Sequence, residues 1–213
     1  VLVTPSHWLA ELVKESFLGK YPVEVIQNGI DLNVFKPTPS DFRERYSLTD
    51  KKMILGVASA WDERKGLKDF IELSKLLDDN YKIVIVGLTK KQMQAMPKNI
   101  ICIERTNNVK ELAEIYTAAD VFLNPTYEDN YPTTNLEAQA CGTPVITYNT
   151  GGSVESVPKE NYIDVGNISE IYMQIKNNTI FDPTVDNSFD RNVFTKKYLN
   201  EYITTKKIDS KNQ

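Results

Sequence analysis

Histidine and cysteine are nearly missing from these 213 residues. His7 is the only histidine, which excludes a multi-histidine metal cage within this chain and leaves any His-based triad to His7 alone. The two cysteines, Cys102 and Cys141, stand far apart and outside any CxxC pattern. Neither a disulfide framework nor a metal site is expected, and the scarcity of cysteine fits a cytoplasmic protein. No apolar run is long enough to cross a bilayer. Basic charge is not in excess: 25 Lys plus Arg face 29 Asp plus Glu, a net charge of −4. That argues against a nucleic-acid partner held by overall basicity. No G-x-G-x-x-G follows any expected strand, which disfavours a NAD-dependent Rossmann enzyme. Internal repeats and low-complexity tracts are missing too.

What is present is ordinary globular usage, 41% hydrophobic and 25% charged, enough for one full-sized domain or a domain with an appendage. The chain opens on Val1, in an apolar triplet and without an initiator Met. This reads as the middle of a fold, so a piece of a longer protein is expected. Ser6 is a plausible N-cap for a helix with Leu9, Leu12, Val13 and Phe17 on one face. Strands are expected at Val23–Gln27, Met53–Ser59, Tyr81–Gly87, Ile100–Ile103, Val121–Asn124, Pro144–Thr147 and Tyr162–Val165. Helices are expected near Phe42–Tyr46, Gly66–Leu77, Lys90–Ala95, Val109–Ala118, Thr133–Cys141 and Ser169–Asn177. Near-continuous apolar strands between amphipathic helices imply a parallel α/β sheet covered on both faces, a doubly wound Rossmann-like layer.

From Asp190 onward Phe194, Tyr198 and Tyr202 recur every four residues, beside Leu199 and Ile203, with Lys196, Lys197, Lys206 and Lys207 elsewhere. The plain reading is a surface helix packing its aromatic stripe on the domain. Docking to a missing domain or to an anionic membrane surface is the sharper one. Fraying is expected beyond Lys207. Cys102 and Cys141 read as small buried hydrophobes.

Ligands of an open parallel sheet sit outside the carboxyl ends of its strands. The richest segment there runs from Asn124 to Ile146. Pro132 suits the first turn of a helix, which leaves the N–H groups of Thr133, Thr134 and Asn135 free for an anion. Glu137, deeper in the same helix, can accept bonds from a vicinal diol such as a ribose. Glu128 and Asp129, before the helix, can face sugar hydroxyls. Each carboxylate taken alone reads as a solvated group.

The stretch YEDNYPTTNLEAQACGTPVIT resembles the signature of retaining family-four glycosyltransferases with the GT-B fold. Those enzymes usually show two glutamates with seven residues between them. With that spacing the partner of Glu137 is Asp129, so the first position is Asp here and Glu128 lies one residue out of register; Asp129 is favoured for the sugar. The D-N-x-P-T-T form, which includes Asn130, resembles a bacterial branch associated with exopolysaccharide, capsule and colanic-acid synthesis. In Gly56–Gly66, the resemblance maps the family's diphosphate-binding lysine onto Lys65. The arginine that usually stands five residues earlier is Ala60, so Arg64 substitutes or the second cation comes from elsewhere. Asn28-Gly29-Ile30-Asp31 resembles the family's N-G-[VI]-D turn, with Gly29 allowing close approach to a ligand or a positive φ. The plain reading there is a structural turn with Asp31 as a local cap. Arg105 and Thr106 fall where the family places its nucleobase-binding loop, and Thr150–Glu155 resembles its glycine-rich turn.

The resemblance implies the C-terminal half of a GT-B fold. Residues 1–20 would be a remnant of the N-terminal domain, 21–188 the nucleotide-sugar-binding domain and 189–213 a C-terminal helix and tail. It implies a hexose moved with retention from a UDP- or GDP-linked donor to a lipid-linked or polysaccharide acceptor in cell-surface polysaccharide synthesis. Lys65, Asp129 and Glu137 would carry the chemistry, with Arg64, Arg105, Thr106, Glu128, Asn130, Thr133, Thr134, Asn135 and Gly29 around the donor. No cofactor or metal is expected, and no protein nucleophile is assigned. The expected partners are the donor, the N-terminal acceptor domain, the acceptor and a peripheral contact with the inner face of the plasma membrane. Two alternatives are a GT-B-fold sugar-nucleotide epimerase, which usually needs more histidines, and a non-catalytic sugar-nucleotide-binding module.

Overall fold

The computed structural model describes residues 1–183, 185 and 187–209, and the side chains of all of these except 187 and 205–209. Strand β1 (Leu2–Thr4) runs into helix α1 (His7–Glu15). The Ser6 hydroxyl accepts the Leu9 N–H at 3.2 Å, the expected cap. The Ser16 N–H and hydroxyl both return to the Val13 carbonyl, at 3.1 and 2.7 Å, and end the helix there. Phe17 therefore lies outside α1 and is 86% exposed, which corrects its place on the helix's apolar face. Strand β2 (Val23–Val25) pairs in parallel with β1, in a two-stranded sheet of their own. The division expected after residue 20 falls between these two paired strands.

The main layer follows, strand and helix alternating except between its last two strands, which are joined by two one-turn helices, Ser153–Ser156 and Lys159–Asn161. Its strands are β3 (Lys52–Val57), β4 (Tyr81–Val86), β5 (Ile100–Ile103), β6 (Val121–Asn124), β7 (Val145–Tyr148) and β8 (Tyr162–Ile163). Its helices are α2 (Phe42–Arg45), α3 (Leu67–Leu76), α4 (Lys90–Ala95), α5 (Val109–Ala118), α6 (Thr133–Ala140) and α7 (Ile168–Asn177), and α8 (Arg191–Asp209) closes the order. All six strands are parallel, in the spatial order β5-β4-β3-β6-β7-β8. This is the doubly wound α/β sheet the alternation implies.

Side chains alternate across it and divide the core in two. Ile54, Ile83, Ile85, Leu123 and Ile146 face one side, with Phe70 and Leu73 of α3 and Ile171 and Ile175 of α7. Met53, Leu55, Val84, Val86, Phe122 and Val145 face the other, with Tyr116 of α5, Ala138 of α6 and Phe42 of α2. Both faces are covered, so the strands read as continuous apolar runs. Cys141 is buried as expected, whereas Cys102, on edge strand β5, is only half-buried.

The aromatic stripe of α8 is not packed away. Phe194 is half-buried and its ring meets Tyr198 at 5.6 Å, but Tyr198, Leu199, Tyr202 and Ile203 are about half exposed or more. About half of each of these four side chains faces solvent, so the stripe is only partly packed on the domain, short of the plain reading. The Lys206 and Lys207 side chains and the tail at 210–213 lie outside what is described.

Candidate functional site

The strand order reverses between β3 and β6, and an open α/β sheet leaves its ligand crevice at that switch point. The loops leaving β3 and β6 carry the two motif segments. Lys65 ends a one-turn helix, Glu63–Lys65, started by the Asp62 carboxylate, which accepts the Lys65 N–H at 3.0 Å. Gly66 then takes φ +71°, and a Cβ there would stand 2.1 Å from the Pro125 carbonyl oxygen. The Tyr127 N–H donates to the Arg64 carbonyl at 2.8 Å. The two loops are thus joined backbone to backbone.

The functional side chains meet on this joint. Lys65 Nζ lies 2.6 Å from Asp129 Oδ2, with the two side chains 23% and 15% exposed. Glu128 is exposed, and only its backbone carbonyl is engaged, by the Thr126 hydroxyl at 3.0 Å and Arg64 at 3.5 Å. Of the two adjacent carboxylates, the structure brings Asp129 to the lysine. Arg64 stands 3.9 Å from Asp62. Asn130 is exposed.

Helix α6 starts beside them. Pro132 is its cap, one residue ahead of the first turn expected for it, with φ −71° and ψ 114°. The three-amide reading needs a correction. The Asn135 N–H is taken by the Pro132 carbonyl at 3.2 Å. Its side chain is buried, accepting from Asn124 and donating to the Ser156 hydroxyl, both at 2.9 Å. Asn135 holds the helix in place, and the N–H groups of Thr133 and Thr134 are the ones left to meet an anion.

Glu137 lies one turn further on, where the Tyr116 hydroxyl donates to its Oε2 at 3.0 Å. Burial pushes its carboxyl above the usual glutamate range, against the Tyr116 and Thr133 hydroxyls, which favour the charged form. Tyr116 is pushed well up by burial and by Glu137 beside it. Behind them, burial drives the Cys141 thiol up to about 12. Glu137, Thr133, Val109, Phe35, Asp31 and Gly29 line a cleft of about 450 Å³. Gly29 has no positive φ. Its close approach is to the chain's own backbone, where a Cβ would stand 2.7 Å from Arg191 Cα. Arg105 is exposed and Thr106 half-buried in the loop after β5; neither is hydrogen-bonded to Lys65, Asp129 or Glu137.

Several residues around the site were not singled out by sequence. Tyr116 meets Glu137 from α5. Arg191, at the start of α8, pairs with Asp31 at 2.9 Å on the rim of the cleft. Asp69 of α3, 8% exposed, accepts from Tyr148 at 2.8 Å and Tyr127 at 3.2 Å, and so anchors the β6 loop from below. No local pattern marks these pairs. Among the described residues no group of three or more His, Cys, Asp or Glu is placed to hold a metal ion.

Residues 40–177 match the family model of glycosyl transferases group 1, more than half of the chain. The chain belongs to this family. A processive diacylglycerol alpha-glucosyltransferase of Acholeplasma laidlawii is 28% identical over 158 residues, 68% of this chain and 47% of that protein. The chain thus spans about half the length of the curated relatives it matches. Among solved structures, HepE of Anabaena, in complex with UDP and glucose, superposes with a TM-score of 0.78 at 16% identity. It covers 96% of this chain and 63% of its own. The C-terminal domain of a group 1 glycosyl transferase (LpcC) from Francisella tularensis has a TM-score of 0.58 at 20% identity, over 80% of this chain and 98% of its own. These likenesses show the GT-B Rossmann-like fold. Lys65, Asp129 and Glu137 fall within residues 40–177.

Proposed function

We propose that this chain is the donor-binding, C-terminal half of a retaining hexosyltransferase. The whole enzyme moves a hexose from a UDP- or GDP-linked donor to a lipid-linked or polysaccharide acceptor in cell-surface polysaccharide synthesis. The observation that carries this reading is the Lys65–Asp129 pair, held at 2.6 Å over the switch point beside the start of α6. In the bound state the donor diphosphate takes the Lys65 ammonium and the Thr133 and Thr134 amides. Negative charge growing on the leaving diphosphate meets these fixed donors, which is electrostatic stabilisation of the transition state. Asp129, at the same junction, turns to the sugar hydroxyls. Glu137 accepts the ribose diol, and Arg105 and Thr106 contact the base. Arg64 is the second cation beside the diphosphate. No metal or cofactor is required in this reading.

A relative that glucosylates diacylglycerol supports a lipid acceptor, worked from the cytoplasmic face of the membrane. A fold neighbour solved with UDP and glucose supports the donor class. The test is calorimetric titration of the chain with UDP, GDP, ADP and TDP. One of the four should bind best, and Lys65→Ala should weaken it. Binding of none of them would overturn the reading.

A further inference from the structure

The glycine-rich turn after β7 carries a carboxylate with no role in the site described above. Glu155 lies in the turn Ser153–Ser156, yet its partners are 147 and 148 residues away. Its Oε2 accepts the His7 N–H at 2.9 Å and its Oε1 the Trp8 N–H at 2.8 Å. With Ser6 taking the Leu9 N–H, three of the free amides that open α1 are satisfied, two of them by a residue outside the N-terminal segment. A carboxylate there also meets the positive end of the helix dipole.

The turn that presents Glu155 is bolted to the donor site. Ser156 receives the Asn135 amide at 2.9 Å, its carbonyl accepts from Gln139 at 2.7 Å, and Ser153 meets Thr147 at 2.6 Å. One residue before this turn, the Gly152 N–H donates to the Asp129 carbonyl at 2.9 Å. A Cβ on Gly152 would stand 1.8 Å from the Asn130 carbonyl oxygen and 2.7 Å from Ser6 Cβ. Ser6, Gly152 and the Asp129–Asn130 backbone are therefore stacked without a gap, and Glu155 holds the stack closed.

We propose that Glu155 is a positioning residue. By clamping the first turn of α1 onto the glycine turn it fixes the backbone of Asp129 and Asn130, so the sugar end of the site depends on where the β1–α1–β2 segment sits. The clamp stands on the hydrogen bonds above; its effect on the sugar rests on the role given to Asp129 under the proposed function.

Hydrogen–deuterium exchange on the full chain tests the clamp without ligand. In Glu155→Gln and Glu155→Ala, exchange should quicken by about fivefold or more at residues 7–9, and also at 127–131 and 152. Quickening confined to residues 7–9 would reduce Glu155 to a helix cap and overturn the proposal. Should the variants fail to fold, the unsubstituted chain still decides. Its Trp8 and Gly152 amides should open together, and protection differing by more than about tenfold would overturn the clamp. UDP and UDP-glucose form the second arm. The extra protection that the sugar gives residues 7–9 should vanish in Glu155→Gln while UDP affinity holds, a split that a purely structural role would not produce. Exchange coupling without any sugar effect would leave the clamp standing and remove the sugar role of Asp129.

Discussion

Lys65 is already paired in the free chain, so a donor diphosphate must compete with Asp129 for its ammonium. Lys65→Ala should weaken UDP or GDP binding by about 10- to 100-fold, the loss of one charge-assisted contact worth roughly 1.5–3 kcal/mol. Asp129→Asn should behave differently: diphosphate affinity holds or rises, while the gain from adding a sugar to the nucleotide shrinks. Calorimetry with UDP and UDP-glucose separates the two. Glu137 adds a pH signature. Burial raises its folded pKa above the ordinary glutamate value, so the folded chain keeps a proton there that the unfolded chain has released. The associated stability is full below the ordinary value and is lost as pH rises through the raised one. Urea melts of the native chain and Glu137→Gln should therefore diverge across that window, the native chain losing ground as pH rises. Parallel curves would remove the buried carboxyl from the account.

The elements themselves were largely legible. Lys90–Ala95, Ile100–Ile103, Val109–Ala118 and Val121–Asn124 stand as the apolar pattern places them, and the remaining strands and helices of the main layer shift by a residue or two. Periodicity reports which face is buried, and here both faces of one sheet are. The misses share a cause. Phe17 fits the helical spacing, but a serine returning to the Val13 carbonyl ends the helix first. Asn135 stands at a helix start where an open amide is expected, yet its N–H bonds the cap carbonyl and its side chain joins a network built from β6 and the glycine turn. Asp31 with Arg191, and Glu155 with His7, are partners far apart in the chain, which local pattern does not encode. Lys65 and Asp129 were named through the resemblance of their two loops to the family's motifs; that the side chains meet follows from the strand order, which no local pattern gives.

The joint between the two loops gives a prediction for elements. Gly66→Ala must strain a left-handed residue and drive a methyl into the Pro125 carbonyl. Gly166 also has positive φ, at +79°, but nothing lies within 4 Å of its missing Cβ. Gly166→Ala should cost about 1–2 kcal/mol of left-handed strain. Gly66→Ala should cost more than that and should also lower donor affinity. Equal melting shifts with unchanged binding would mean that the loops move independently.

For the whole molecule, the accessible surface is 11,833 Å², above the roughly 10,000 Å² of a compact chain of this mass. Its exposed large apolar side chains include Val1, Leu12, Phe17 and Tyr21 on the first segment and Tyr198, Leu199, Tyr202 and Ile203 on α8. No helix among the described residues is long and apolar enough to cross a membrane. With a chain that spans about half of its relatives, the expected outcome is donor binding with little or no transfer. Activity should return on joining an N-terminal acceptor half. Radiolabelled sugar transfer to a diacylglycerol or glycan acceptor, with and without that half, checks it; robust transfer by this chain alone would reject the division of labour.

The backbone joint at Gly66 and Pro125 also bears on protein engineering. A chimera that borrows only the Lys65 loop from a relative would set a foreign turn against a native carbonyl, and one that borrows only the Asp129 loop would do the reverse. Exchanging donor preference between family members calls for grafting both loops as a single cassette, together with the Gly151-Gly152 turn that seats the second one.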